Sequence, residues 1–345
     1  MGKKVKVGIT HGDINGIGYE IIIKTLMDKR IMDLCTPIVY GSPKLSAYHR
    51  KSLNIENFSL NIIKSPENAN PKRPNVINCV SENTRIELGK ISKESGTAAF
   101  ASLEAATNDL LDGKIDILLT APINKNSIQS EEFQFPGHTE YLQNKTNSES
   151  VLMLMLGEYM KLGVVTGHVP IKDVADLITE DRILQKLRIL HDSLMKDFTV
   201  RNPKIAVLGL NPHAGDNGVI GTEEEEIIIP ALNKAREEGI MAIGPYAADG
   251  FFGSQAYLKF DAVMAMYHDQ GLAPFKTAEF ETSVNFTAGL PIIRTSPGHG
   301  TAFEIAGKGK ASPGSFRQAL FTALEIYRNR KHYKEISENP LINTN

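Results

Sequence analysis

Cysteine is scarce in this chain: Cys35 and Cys79 are the two among 345 residues. Each lies in an apolar or strand-like stretch without the paired spacing of a zinc or redox motif, so both read as buried thiols. A surplus of one charge is also missing. Lysine and arginine number 38 against 40 for aspartate and glutamate, which leaves no global field to recruit nucleic acid or an acidic membrane surface. No apolar run approaches the roughly 20 residues that span a bilayer. The opening Met-Gly-Lys-Lys runs at once into a strand-like segment, with nothing resembling a signal-type apolar core. A cytoplasmic protein without nucleic-acid or membrane partners is therefore the expectation.

What is present, 41% hydrophobic and 23% charged residues, is ordinary globular composition, in a chain long enough for two domains or one large one. Strand-like runs at Val5–Thr10, Ile115–Thr120, Leu162–Thr166, Ile205–Leu210 and Ala262–Met266 alternate with amphipathic stretches at Tyr19–Met27, Thr97–Leu111, Arg182–Met195, Glu223–Glu238 and Ser315–Arg328. Such alternation calls for right-handed β-α-β crossovers, hence an α/β fold with a largely parallel sheet and helices on both faces. Ser65–Asn78, with Pro66, Pro71 and Pro74, reads as a surface loop, and the tail after Pro340 as frayed.

Three of the strand candidates run into histidine: VVTGHVP at His168, VLGLNPH at His213 and AMYHDQG at His268. In a parallel sheet the carboxyl ends of the strands open on one edge, so the three imidazoles are expected to converge. Alone, each reads as a capping or core residue. Together they suit a borderline divalent ion, with coordination positions left open for substrate. His138 in PGHTE and His299 in PGHGT have small neighbours that let a ligand approach closely. His11, His49, His191 and His332 read as structural or solvent-facing.

The Gly12–Gly18 segment, GDINGIG, has neither the dinucleotide G-x-G-x-x-G nor a P-loop ending, and Asp13 would repel phosphate. It reads as a tight strand-to-helix turn. Lys276, Asn285 and Arg294 place two cations and an amide in a neutral region and could grip a phosphate, Arg294 through its bidentate fork; solvated surface charge is an equal alternative.

GDINGIGYE, PGHTE, TGHVPI, NPHAG, YHDQGLAPFK, VNFTAGLPIIRTS and HGTAFEIAGKG occur in this order along nearly the whole chain. The series resembles the 4-hydroxythreonine-4-phosphate dehydrogenases of vitamin B6 biosynthesis. HGTAFEIAGKGKASP is also similar to the cofactor loop of the wider isocitrate and isopropylmalate dehydrogenase group, which binds NAD without a Rossmann fold. Ile14 and Tyr19 stand where prolines are common in the first motif, and Gly298 where an aspartate commonly precedes HGT.

The resemblance implies two α/β/α domains, 1–125 with 290–345 and 126–289, and an active site in the cleft between them. It implies one divalent ion per site (Zn2+, Mg2+, Mn2+ or Co2+) on His168, His213 and His268. The first two would come from one subunit and the third from its partner, in a homodimer. Substrate contacts fall on His138, Thr139, Lys276, Asn285 and Arg294, and NAD or NADP contacts on His299, Gly300, Thr301 and Ala302. The implied reaction is NAD-dependent oxidation of 4-phosphooxy-L-threonine and decarboxylation to 3-amino-2-oxopropyl phosphate. Asp249, Asp269 and Lys276 are the candidates for moving the proton, with Asp269 alternatively orienting His268. Threonate or erythronate 4-phosphate is the rival substrate on this scaffold. A metal-dependent hydrolase is a remoter reading, against which the HGTAFEIAGKG loop argues, and a non-catalytic binding protein is another, which would have little use for an open metal site and would call for an export signal.

Overall fold

Strands covered on both faces are apolar at nearly every position rather than alternating. Ile117, Leu118 and Leu119 follow this rule, all fully buried. The computed structural model describes residues 4–338. Among them the strands are β1 (Lys6–Thr10), β2 (Thr36–Gly41), β3 (Asn61–Ile63), β4 (Asn75–Asn78), β5 (Ile117–Thr120), β6 (Leu152–Leu156), β7 (Lys161–Thr166), β8 (Lys204–Leu208), β9 (Met241–Tyr246), β10 (Ala262–Tyr267), β11 (Val284–Ala288) and β12 (Arg294–Pro297).

The chain forms two units, Met1–Ser148 with Leu290–Leu324 and Glu149–Gly289 with Glu325–Asn345. In the first, the strand order is β3-β4-β2-β1-β5-β12, parallel throughout. In the second it is β11-β6-β7-β10-β8-β9, antiparallel across β11-β6-β7 and parallel beyond. The fold is mixed α/β with mostly parallel strands.

These divisions differ from the expected 1–125 plus 290–345 and 126–289. Residues 126–148 go with the first unit because Phe133 and Tyr141 pack edge-on against Phe100 of the helix Lys93–Leu111, with ring centroids 5.6 and 6.1 Å away. The end of the helix Gly314–Glu338 goes with the second. There Arg330 Nε donates to Asp197 Oδ1 at 2.6 Å and Asn329 donates to the Asp197 carbonyl at 2.7 Å.

Local chemistry sets the helix boundaries. Ser92 Oγ accepts from Ser95 N at 3.1 Å, so that helix starts at Lys93 rather than at Thr97. Thr179 caps Glu180–Lys196, which buries Ile183, Leu184, Leu187, Leu190 and Leu194 at helical spacing. The expected helix Glu223–Glu238 begins as a π-turn, Glu224–Ile228, before regular helix Ile229–Glu237; Pro230 has no N–H to give back to the preceding turn. The surface loop expected at Ser65–Asn78 instead ends in β4. Its Asn75 is fully buried and donates to the carbonyls of Pro37, Asn70 and Arg73, which lets a polar residue open a buried strand. The tail after Pro340 lies outside the described residues.

His11 and His49 are buried, and Tyr19 is stacked between them at centroid distances of 5.2 and 5.0 Å. Burial pushes both imidazoles down from 6.5 to about 4. A base whose folded pKa is depressed stabilises the fold above the unfolded pKa, and that stability is lost as pH falls through the folded one. Stability should therefore drop between about 6.5 and 4, by up to about 3 kcal/mol per ring. Denaturant midpoints across that range should show the slope, and His49→Phe, which keeps a stacking ring, should remove that ring's share of it and leave the share of His11.

Candidate active site

The register of two parallel strands places the first pair of histidines. Thr166 at the end of β7 lies opposite Tyr267 at the end of β10, and Thr166 Oγ1 donates to the Met266 carbonyl at 2.8 Å. The chains emerge side by side, which brings the His168 and His268 rings to 5.4 Å between centroids. They open on a cavity of about 250 Å³ that Tyr267 and Asp269 also line. The Asp269 carboxylate lies 2.6 Å from His268 Nδ1, the arrangement that fixes a tautomer and leaves Nε2 for a ligand.

His213 does not join this pair. Among the described residues no group of three histidine, cysteine or acidic side chains stands close enough to hold an ion. The expected convergence assumed a strand running to Leu210, whereas β8 stops at Leu208. The intervening residues lead into a turn in which His213, Ala214, Gly215, Asp216, Asn217 and Gly218 all have left-handed φ, 55, 53, 82, 44, 54 and 83°. The resemblance also grouped His168 with His213 in one subunit. Within this chain the ring beside His168 is that of His268.

Of the three candidates for proton transfer, Asp269 alone lines the cavity. Asp249 is exposed in the helix Ala248–Gly253. Lys276 is half-buried in the helix His268–Glu279, about 12 Å along its axis from His268 at 1.5 Å per residue. Asn285, on β11, has a buried Oδ1 without a hydrogen-bond partner among the described residues.

In the first unit a second polar centre forms around Arg294, which is 3% exposed. β12 pairs with β5 so that Arg294 lies opposite Leu118. Its side chain runs along the strand to Thr120, two residues on, where Nε and Nη2 donate to Oγ1 at 3.1 and 2.8 Å. Burial pushes the guanidinium down to about 10, partly opposed by Glu140. His138 opens the helix His138–Lys145, buried. Burial first, then Arg294 and Lys125, hold it well below the ordinary imidazole range, and its Nε2 has no hydrogen-bond partner among the described residues. Thr139 follows in the first turn of that helix, half-buried. A buried guanidinium, a neutral imidazole and a helix N-terminus together suit an anion such as phosphate.

The glycine-rich first motif is a structural hub, as a tight turn requires. Gly12 has φ of 67°, and a Cβ there would lie 2.2 Å from the Pro122 carbonyl. Asp13 is buried and accepts from Ser95 Oγ and Ser127 Oγ, both at 3.1 Å, and from Asn15 N at 2.9 Å. Ile17 N donates to the Thr301 carbonyl at 3.1 Å, which pins the loop of His299, Gly300, Thr301 and Ala302. Gly300 there is exposed, with open space where a Cβ would be, so the loop offers bare backbone for a ligand to approach.

The family model described as pyridoxal phosphate biosynthetic protein PdxA matches residues 33–323. The chain belongs to the PdxA family. A relative named 4-hydroxythreonine-4-phosphate dehydrogenase, from Bacteroides thetaiotaomicron, is 52% identical over 98% of this chain and 93% of its own. A protein of Oceanobacillus iheyensis provisionally named D-threonate 4-phosphate dehydrogenase is 41% identical over 94% of this chain and 99% of its own. The crystal structure of 4-hydroxythreonine-4-phosphate dehydrogenase from Klebsiella pneumoniae is 34% identical, with a TM-score of 0.82, covering 94% of this chain and 100% of that one. Isocitrate dehydrogenase from Methylococcus capsulatus, 12% identical at a TM-score of 0.50 and covering 97% and 89% of the two chains, shares the fold.

Three residues of this PdxA-family chain escaped the sequence reading. Thr120 gave no signal beyond ending a strand. Gln270 donates to the Gly209 carbonyl at 2.6 Å and accepts from Met266 N at 2.7 Å, which ties the start of the His268 helix to the base of the His213 turn. Glu224 is one of four consecutive glutamates, a pattern indistinguishable from a solvated face.

Proposed function

We propose that this chain oxidises the C3 hydroxyl of 4-phosphooxy-L-threonine with NAD as hydride acceptor, in the synthesis of pyridoxal phosphate. The observation that carries this reading is the nearly full-length match to a relative of that name, 52% identical. Oxidation leaves a ketone β to the carboxylate; CO2 then departs and C2 takes a proton, giving 3-amino-2-oxopropyl phosphate. Threonate 4-phosphate is the second reading, favoured by the Oceanobacillus relative.

In this account Arg294, His138 and Thr139 bind the phosphate, and Lys276 and Asn285 the rest of the substrate's polar groups. The exposed backbone of Gly300, beside His299, Thr301 and Ala302, receives the dinucleotide. Two facing imidazoles, one with a carboxylate behind it, are donor chemistry that fits a divalent ion such as Zn2+, Mg2+, Mn2+ or Co2+. When bound, the ion would supply Lewis acidity toward the substrate oxygen at C3. Asp269 holds the proton on His268 Nδ1 and so presents Nε2.

One chain presents two of the three histidines together, and in a homodimer the partner subunit's His213 would complete the set. Protein treated with a chelator should lose NADH formation and recover it on adding Zn2+, Mg2+, Mn2+ or Co2+. Full activity in demonstrably metal-free protein would exclude the metal role, and NADH without equimolar CO2 would exclude the decarboxylating product.

A further inference from the structure

The turn carrying His213 is held in a conformation that L residues avoid, and one buried carboxylate holds its base. Six consecutive residues, His213 to Gly218, have left-handed φ, four of them with side chains. Left-handed helix brings each Cβ against the following carbonyl, so such runs do not persist unless their surroundings impose them. The surroundings here are specific. Glu224 is 2% exposed. Its Oε1 accepts from Leu210 N and Asn211 N, both at 2.7 Å, and its Oε2 accepts from Asn211 Nδ2 at 2.9 Å. Asn211 Nδ2 also donates to Glu223 at 2.7 Å.

The space around this carboxylate is filled by the turn. A Cβ on Gly215 would lie 2.6 Å from Glu224 Oε2, and one on Gly209 2.9 Å from Oε1. The π-turn at Glu224–Ile228 is where the helix departs from regular geometry, at the residue that makes these contacts. A buried carboxylate satisfied by backbone N–H groups is a strong, directional anchor.

We propose that Glu224 is a positioning residue for metal binding: by fixing Leu210 and Asn211 it keeps the following turn left-handed and so sets where the His213 imidazole stands. This rests on His213 being a metal ligand, as the proposed function has it. Glu224 touches neither ion nor substrate in this role. It acts through the backbone of the turn, in the way that outer groups orient metal ligands.

Glu224→Gln keeps the shape but turns an acceptor into an amide N–H facing the Asn211 donor. In the full-length protein this variant should fold, with unchanged circular dichroism, and bind Co2+ about tenfold or more weakly by titration of the cobalt absorption. Amide hydrogen exchange over residues 210–218, measured without metal, should accelerate in step. Activity should return at high Co2+ with the substrate KM unchanged. Ala214→Gly, placed in the Glu224→Gln background, removes one Cβ from the left-handed run and should recover part of the lost Co2+ affinity. It also serves as the second variant if the single one folds poorly.

His213→Ala separates the two levels. If it weakens Co2+ binding while Glu224→Gln leaves both affinity and exchange of the turn unchanged, the positioning role is overturned and the metal reading stands. If His213→Ala itself leaves Co2+ affinity unchanged, the ligand assignment fails and this inference with it.

Discussion

Arg294→Met is expected to lower kcat/KM by about a thousandfold, the equivalent of some 4 kcal/mol, while leaving the ligand-free protein at least as stable as the wild type. The two effects have opposite signs because of where the charge sits. At 3% exposure the guanidinium is out of water, and its depression to about 10 records what burial costs the charged form. Methionine has similar reach and removes that cost. A phosphate ester offers oxygens to the same fork, so the charge is useful when substrate is present. Wild-type protein saturated with inorganic phosphate or substrate should melt a few degrees higher than without it. Arg294→Met should show no such shift. Arg294→Lys, with a charge but no fork, should fall between them. A variant that loses stability but keeps its phosphate response would show that Arg294 serves the core instead.

The second large effect concerns how the histidines are shared. Each of His168→Ala, His213→Ala and His268→Ala is expected to cost more than about a hundredfold in activity. Mixed and reassorted subunits should distinguish the partners. His168 and His268 lie together in one chain, 5.4 Å apart by centroid, and the proposed homodimer would draw His213 from the other. A mixture of His168→Ala and His213→Ala subunits should then regain roughly a quarter of wild-type activity, since half of the dimers are mixed and each has one intact site of two. A mixture of His168→Ala and His268→Ala should remain inactive. Rescue in the second mixture, with none in the first, would restore the division that the resemblance implied.

His168 and His268 were legible in the sequence because they lie two positions and one position past the ends of their strands, where backbone register alone decides the neighbour. His213 lies five positions past Leu208, where strand register no longer decides the neighbour, and it opens a turn with left-handed φ at His213, Ala214, Asp216 and Asn217. Side-chain identity does not announce that conformation, as a glycine would. The buried member of the glutamate run follows the same logic, since only the packed fold shows that Glu224 faces inward. Thr120 and Arg294 are 174 positions apart, and the pairing of β5 with β12 that joins them is a tertiary fact. The alternation of strands and helices gave the fold class because it depends on local periodicity. Unit membership of 126–148 and 325–338 was not legible, because it is decided by long-range contacts such as Phe133 on Phe100 and Arg330 on Asp197.

The reaction proposed for this chain is oxidation of a phosphorylated amino acid with NAD. Its most direct test is NADH absorbance in protein supplied with a divalent ion and NAD, with 4-phosphooxy-L-threonine compared against threonate 4-phosphate at equal concentration. NADH is expected from the amino acid at a kcat/KM at least about tenfold above that for the sugar acid, about 1.4 kcal/mol of transition-state preference. NADH from threonate 4-phosphate alone, or from neither compound, would contradict it.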